Sequence, residues 1–126
     1  MKKGFTLVEI MIVVAIIALL AALVLPGLLR ARINANEAAA QANLKTIATA
    51  CESYASANNG MYPTSWGDLL NGTAPYLNKN LSGTHQGYNI NCTFTNTSYT
   101  CTAKPVSSTT GTKNFTIKTG GNLTSS

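Results

Sequence analysis

The sequence predicts an α+β protein in which a long N-terminal α-helix packs against a small antiparallel β-sheet. Two observations indicate the helix: an unbroken apolar run near the N-terminus and an amphipathic, alanine-rich segment that follows it. A third observation indicates the sheet, because short segments in the C-terminal half alternate apolar and polar residues. The length of 126 residues is consistent with one small head domain beside the apolar run.

The apolar run spans residues 5–29 and is the most distinctive segment. The sixteen residues from Ile10 to Leu25 include no polar side chain. As a helix, residues 5–29 would be about 37 Å long at 1.5 Å per residue, which exceeds a bilayer core of about 30 Å. We therefore expect this segment to span a membrane. Lys2 and Lys3 precede it and predict a cytoplasmic N-terminus.

Two features distinguish the run from an ordinary secretory signal. Such a signal has an apolar core of about 7–15 residues and is cut after that core. Here the run is longer, and the candidate cut lies before it, between Gly4 and Phe5. The second feature is Glu9, because an unpaired carboxylate inside the apolar layer costs about 2.5–3.5 kcal/mol. Glu9 is therefore expected to need a partner.

The segment GFTLVEIMIVVAIIALLAALVLP resembles the N-terminal signal of type IV pilins and the related pseudopilins of type II secretion. Gly4, Phe5 and Glu9 stand at the family's cleavage, methylation and assembly positions. The resemblance implies that a prepilin peptidase removes residues 1–4 and methylates the amine of Phe5. It also implies that Glu9 pairs with the Phe5 amine of a neighbouring subunit during filament assembly by inner-membrane machinery. A single-pass anchor with a chance glutamate is the alternative.

The pair Pro26-Gly27 interrupts the helical pattern. Proline removes one helix hydrogen bond and clashes with the preceding turn, so we predict a kink in a helix that continues beyond it. A helix that simply leaves the membrane here is the alternative interpretation. The continuation from Arg30 ends at Asn58-Asn59-Gly60, a typical helix stop. Its predicted apolar stripe consists of Ala40, Leu44, Ile47, Cys51 and Tyr54.

Residues 61–81 are predicted to form a loop region with one short helix. Thr64 or Ser65 would cap this helix, which would have Asp68 in its first turn. Large side chains in the region are expected to fill the space beside the long helix. They are Tyr62, Trp66, Leu69, Leu70, Tyr76 and Leu77.

Segments 87–94 and 98–103 are predicted to form a β-hairpin. A turn around residues 95–98 pairs Phe94 with Tyr99, Cys92 with Cys101 and Ile90 with Ala103. Opposed Cβ atoms in a hairpin lie about 4.5–5.5 Å apart, and a disulfide needs about 3.8 Å. We therefore predict a Cys92–Cys101 disulfide, which leaves Cys51 as a free thiol on the helix stripe.

The C-terminal part is predicted to add one more strand. Residues 104–112 are interpreted as a polar, flexible connection, and residues 114–119 as a third strand with Phe115 and Ile117 facing inward. Gly120-Gly121 then leads to a frayed tail. The predicted organisation is a leader at residues 1–4, a membrane and polymerisation helix at 5–29, and an amphipathic helix with a β head at 30–126.

No catalytic or metal-binding pattern is found. His85 is the only histidine, and the four acidic residues are far apart in sequence, so we expect neither enzymatic activity nor a cofactor. In the family that this chain resembles, the major pseudopilins carry a calcium site built from acidic residues in a C-terminal loop. This chain has no acidic side chain after Asp68, and this departure favours a pilus subunit.

Three functions follow from these observations. The first is a structural subunit of a type IV pilus, membrane-inserted as a precursor and then part of an extracellular filament of like subunits. The second is a pseudopilin of a type II secretion system. The third is a membrane-anchored or pilus-borne module for adhesion or DNA uptake. After leader removal the chain would have seven basic and four acidic residues. This small positive excess, without interleaved aromatic and basic residues, does not favour nucleic-acid binding.

Overall fold

The computed structural model describes residues 4–126, so Lys2, Lys3 and the orientation predicted from them lie outside the described residues. The chain contains two helices, α1 (Leu7–Ala57) and α2 (Trp66–Leu70). Five strands follow: β1 (Gly83–His85), β2 (Tyr88–Phe94), β3 (Tyr99–Pro105), β4 (Phe115–Lys118) and β5 (Asn122–Ser125). The chain divides into two compact units, of which the first ends at Arg32 and the second runs from Ile33 to Ser126.

Helix α1 continues through Pro26 and Gly27 without a break. The prediction that this pair does not end the helix is therefore confirmed, and the kink itself stays a prediction. By length and composition, α1 is able to cross a membrane. Within the first unit, the large apolar side chains of α1 are exposed.

Within the second unit, the predicted stripe of α1 faces the core. Ala40, Leu44, Ile47 and Cys51 are buried, and Tyr54 packs against them while partly exposed. The helix ends where the sequence predicts, because Asn59 and Gly60 adopt left-handed backbone conformations with φ of 57° and 82°. The Gly60 N–H donates to the Ala55 carbonyl at 2.8 Å and closes the last turn.

The strands form one antiparallel sheet in the order β1-β2-β3-β4-β5. The register of β2 and β3 is the predicted one, with Phe94 opposite Tyr99, Cys92 opposite Cys101 and Ile90 opposite Ala103. The sheet therefore presents the predicted apolar residues to one side. That buried side consists of Tyr88, Ile90, Tyr99, Cys101, Ala103, Phe115 and Ile117.

The sheet has two more strands than the sequence predicts. The predicted frayed tail is wrong, because Gly120 and Gly121, with φ of 88° and 78°, reverse the chain into β5. Strand β5 pairs with β4 and contributes only Leu123 to the core margin. One apolar residue in a polar tail gives too weak an alternation to recognise, and the three-residue β1 gives none.

The short helix is confirmed at Trp66–Leu70 with Ser65 at its N-cap, but the capping hydrogen bond from that side chain is not formed. The contact runs in the other direction, because Oδ2 of Asp68 accepts hydrogen bonds from the N–H of Thr64 at 2.9 Å and its hydroxyl at 3.1 Å. The carboxylate thus reaches back to the residue before the cap and fixes the chain's entry into α2.

Most of the predicted space-filling side chains join the core. Leu69 and Leu77 are buried, and Tyr62, Trp66 and Leu70 pack against the core while partly exposed. Tyr76 is the exception, with 37% of its surface exposed. Its ring meets that of Tyr54 edge-on at 5.4 Å, so these two rings form a surface pair beside the core.

The connection between β3 and β4 is held against α1, although the sequence predicts a flexible one. The Asn36 side chain donates to the Thr110 carbonyl at 3.0 Å. The Glu37 carboxylate accepts from the Thr112 N–H at 3.2 Å and hydroxyl at 2.8 Å. Between these contacts lies Gly111, which is buried against the ring of Tyr88. A polar composition did not reveal these contacts because their partners are about 75 residues away in sequence.

Candidate assembly site

The three residues that the sequence singles out for processing and assembly lie in the first turn of α1 or just before it. Gly4 and Phe5 precede the helix, and the Phe5 side chain is 85% exposed. Glu9 lies in the first turn of α1 and is exposed. A carboxylate in the first turn interacts favourably with the positive end of the helix dipole. The predicted cleavage junction thus lies in non-helical backbone immediately before a helix.

Thr6 fixes where α1 begins, and sequence reasoning missed its role. Its hydroxyl Oγ1 accepts a hydrogen bond from the N–H of Glu9 at 3.1 Å. This satisfies one of the donors that the first turn of a helix leaves unpaired. The signal was present in the sequence, because Thr6 and Glu9 have the Ser/Thr-x-x-Glu spacing of a capping box.

From Leu7 to Leu29 the helix exposes a continuous apolar surface. The large side chains of this stretch are about half to three-quarters exposed, from 46% for Leu29 to 76% for Leu7. An apolar area of this extent is not tolerated in water and marks a membrane or protein contact. Arg30 and Arg32 follow it directly and are exposed, so the apolar surface ends at two positive charges.

The structure joins Cys92 and Cys101 in a disulfide across β2 and β3. Cys51 is a free cysteine and is fully buried in the core cluster. Burial, with a smaller contribution from the charge of Glu52, raises the pKa of the Cys51 thiol from 9.0 to about 12. At neutral pH this thiol is therefore protonated and a poor nucleophile.

Glu52 is the polar centre of the head, although its position off the apolar stripe gave no indication of this. Its carboxylate accepts hydrogen bonds from the hydroxyls of Tyr62 at 3.0 Å and Tyr99 at 3.0 Å. It also accepts from the N–H of Gly120 at 2.9 Å. One side chain of α1 thereby binds the segment after α1, strand β3 and the β4–β5 turn.

The two tyrosines that bind Glu52 have raised pKa values. Burial, followed by the hydrogen bond to Glu52, raises the pKa of Tyr99 well above its usual value near 10. The same causes raise the pKa of Tyr62. These hydroxyls therefore remain protonated donors to Glu52 throughout the neutral range. In residues 4–126, no group of three or more histidine, cysteine, aspartate or glutamate side chains is placed to hold a metal ion.

The fold and this N-terminal end define a class of protein. A long apolar N-terminal helix together with a small antiparallel five-stranded sheet is an α+β, pilin-like fold. Residues 1–25 match the family model described as the prokaryotic N-terminal methylation motif. The motif covers the Gly4-Phe5 junction, Glu9 and most of the apolar run.

Curated relatives agree with this class. The chain is 49% identical over 57 residues to the type IV wide pilus major component PilA4 of Thermus thermophilus, which is 45% of this chain and 44% of that protein. It is 43% identical over 53 residues to the type IV major pilin protein PilA of Myxococcus xanthus, or 42% of this chain and 24% of the relative. It is 41% identical over 63 residues to the type II secretion system core protein G of Pseudomonas aeruginosa, which is 50% of this chain and 44% of that protein.

By this motif and these relatives, the chain is similar to type IV pilins and to a core protein of type II secretion. Each match covers less than half of the relative's length. A comparison with solved structures gives no match. The matched motif lies at residues 1–25, and the head is described by its own structure.

Proposed function

We propose that this chain is the precursor of a structural subunit that polymerises into a type IV pilus through α1. The observation that supports this most strongly is the continuous exposed apolar surface from Leu7 to Leu29, preceded by the methylation motif. In the membrane, lipid covers this surface; in a filament, the helices of other subunits cover it. The precursor is then an inner-membrane protein and the product an extracellular fibre.

Processing takes place at the Gly4-Phe5 junction. A prepilin peptidase cuts after Gly4 and methylates the new amine of Phe5, and both residues lie in non-helical, exposed chain as a protease substrate requires. Thr6 supports this arrangement because its bond to the Glu9 N–H sets the start of the helix beyond the cut. Residues 1–4 are thereby the leader, and residues 5–29 the segment for membrane and filament.

Glu9 controls assembly by charge pairing. In an apolar surrounding its carboxylate is costly unless a cation neutralises it, and the Phe5 amine of a neighbouring subunit supplies that cation. Pro26 and Gly27 give the helix a local weak point where the proline removes one hydrogen bond. Assembly machinery in the inner membrane provides the energy for extraction.

The experiment that tests this function is electron microscopy of filaments sheared from native cells, with N-terminal sequencing of their main protein. We expect long fibres whose principal subunit begins at a methylated Phe5. In cells carrying Glu9→Ala, the protein should be cut and stay in the membrane while fibres are lost. Glu37→Ala removes the same charge from α1 outside the apolar run and should leave fibre yield unchanged.

A pseudopilin of a type II secretion system is the second candidate, favoured by the similarity to core protein G over half of this chain. The same experiment separates the two. Cleaved protein that begins at Phe5 but occurs only in the inner membrane, with no surface fibres, would indicate a pseudopilin. Normal processing of a variant with a bulky residue at Gly4 would contradict the cleavage site in either case.

A further inference from the structure

Asparagine followed by glycine occurs twice in the chain, at Asn59-Gly60 and at Asn71-Gly72. In such a pair the backbone nitrogen of the glycine is able to attack the side-chain Cγ of the asparagine. The new N–C bond closes a succinimide ring while ammonia leaves, and water then opens the ring to aspartate or isoaspartate. Glycine offers the least steric hindrance because it has no side chain. The fold treats the two pairs differently.

The Asn59-Gly60 pair is held by the end of α1. The attacking nitrogen would be that of Gly60, and its N–H donates to the Ala55 carbonyl at 2.8 Å. Asn59 is in the left-handed region with φ of 57° as part of the same helix end. The nitrogen must lose its proton before it attacks, so this hydrogen bond must break and the last turn of α1 must open first.

The Asn71-Gly72 pair is free of this restraint. The Asn71 N–H donates to the Gly67 carbonyl at 2.9 Å, whereas the Gly72 N–H donates to no backbone carbonyl in residues 4–126. Both residues are exposed, and no atom outside residues 71–73 lies within 4 Å of where a Cβ on Gly72 would be. The nucleophile and the path toward the Asn71 amide are therefore open to solvent and to rotation.

Among the backbone hydrogen bonds of residues 4–126, those that hold the loop containing Asn71 lie at its ends. The carbonyl of Leu69 accepts hydrogen bonds from the N–H groups of Tyr76 at 2.9 Å and Leu77 at 3.0 Å. Residues 71–74 between these points are exposed. Rotation about the Asn71 backbone, which the ring closure requires, thus disturbs no buried contact. The loop is able to react while the rest of the head remains folded.

We propose that Asn71 is a site of spontaneous deamidation in the folded protein and that the end of α1 protects Asn59. The product places a carboxylate three residues after Asp68, in a chain that has no other acidic side chain beyond Asp68. Older protein molecules then differ from new ones by one negative charge on this exposed loop. This inference does not depend on the proposed function, since it follows from the two Asn-Gly pairs alone.

The test is a time course of the purified full-length protein in detergent, incubated in mildly alkaline buffer. Mass spectrometry of proteolytic fragments locates the mass increase that follows replacement of NH₂ by OH, and fragment ions assign it to Asn59 or Asn71. We expect Asn71 to react at least about fivefold faster than Asn59, the factor that one retained hydrogen bond provides. In denaturant the two rates should become similar.

Several results would overturn the proposal. Equal rates in the folded protein, or faster reaction at Asn59, would show that the helix end gives no protection. A rate ratio that persists unchanged in denaturant would show that the fold is not the cause. Asn71 also begins an Asn-Gly-Thr sequon, so a glycan on that residue in the native protein would exclude the reaction. The Asn71→Gln variant, which keeps an amide there, should remove the fast phase and leave the slow one.

Discussion

The hydroxyl of Tyr99 in β3 donates a hydrogen bond to Oε1 of Glu52 in α1 at 3.0 Å. The same carboxylate binds Tyr62 and the N–H of Gly120, and the Tyr99 hydroxyl in turn accepts from the N–H of Gly121 at 3.1 Å. Hydrophobic packing holds the sheet on the helix, and this small network fixes the position of the β4–β5 turn. Glu52 is therefore a structural residue of the head.

Replacing Glu52 by alanine should destabilise the protein by about 1.5–3 kcal/mol, because hydrogen bonds to a charged group are the stronger ones. Urea unfolding of the full chain in detergent, followed by near-ultraviolet circular dichroism of the tyrosines, measures this free energy. Glu37→Ala is the matched control, since it removes the same charge from the same helix. Within residues 4–126, the Glu37 carboxylate accepts hydrogen bonds only from the exposed Thr112. A loss of stability in Glu37→Ala as large as that in Glu52→Ala would contradict the importance of the Glu52 network.

Stability should fall in alkali because the folded state raises the pKa of Tyr99. A group whose pKa is higher in the folded state stabilises that state below its unfolded pKa, here about 10, and loses this contribution as the pH rises further. The Cys51 thiol, with its pKa raised to about 12, acts in the same direction above pH 9.

Thermal unfolding at several pH values above about 9 checks this expectation. The Tyr99→Phe variant should lose stability less steeply with increasing pH than the parent, because one of the titrating groups is gone. The Tyr76→Phe variant removes an exposed hydroxyl and serves as the matched control. Identical slopes for the parent and Tyr99→Phe would contradict the prediction.

The Cys92–Cys101 disulfide predicts one bridge and one free thiol per chain. Intact mass with and without reductant, combined with thiol alkylation, should find Cys51 alkylated only after unfolding. The two cysteines are nine positions apart in sequence, so the bridge closes a short loop. Its removal should lower the free energy of unfolding by about 2 kcal/mol, near the low end for disulfides. The Cys92→Ser, Cys101→Ser double variant measures that cost, and alkylation of all three cysteines without reductant would contradict the bridge.

Gly111 should not tolerate a side chain. A Cβ at this position would lie 2.6 Å from Cε1 of the Tyr88 ring and still closer to its hydroxyl oxygen. Tyr88 is fully buried and its hydroxyl donates to the Lys113 carbonyl at 2.8 Å, so the ring is not free to move. Gly111→Ala should therefore destabilise the protein by about 1–3 kcal/mol, as measured by urea unfolding.

The control for this substitution is Gly67→Ala. Its Cβ would meet the Asn71 side-chain nitrogen at 3.2 Å, and an exposed side chain is able to shift by a few tenths of an ångström. We expect a change within about 0.5 kcal/mol for this surface substitution. Equal losses for the two glycine variants would show that contact with Tyr88 is not the reason for the glycine at position 111.

The local patterns of the sequence determined both helices and three of the five strands of this protein. The run after Phe5, the stripe from Ala40 to Tyr54 and the stop at Gly60 predicted α1, because helix periodicity and capping depend on neighbouring residues. The hairpin register followed in the same way from period-two alternation, which allows only one face to be buried. The motif at Gly4, Phe5 and Glu9 indicated the resemblance to type IV pilins. Its residues are close together in sequence, so the motif can be read without knowledge of the fold.

Only the tertiary structure decided what joins these elements. Glu52 and Tyr99 are 47 residues apart, and Asn36 and Thr110 are 74 apart, so no local pattern connects them. Strand β5 exists because a glycine turn brings a polar segment beside β4, where backbone hydrogen bonds need no particular side chains. Protection of Asn59 and exposure of Asn71 likewise depend on where each backbone N–H points. Local sequence determines periodicity and caps, whereas pairing across the chain requires the fold to bring distant groups together.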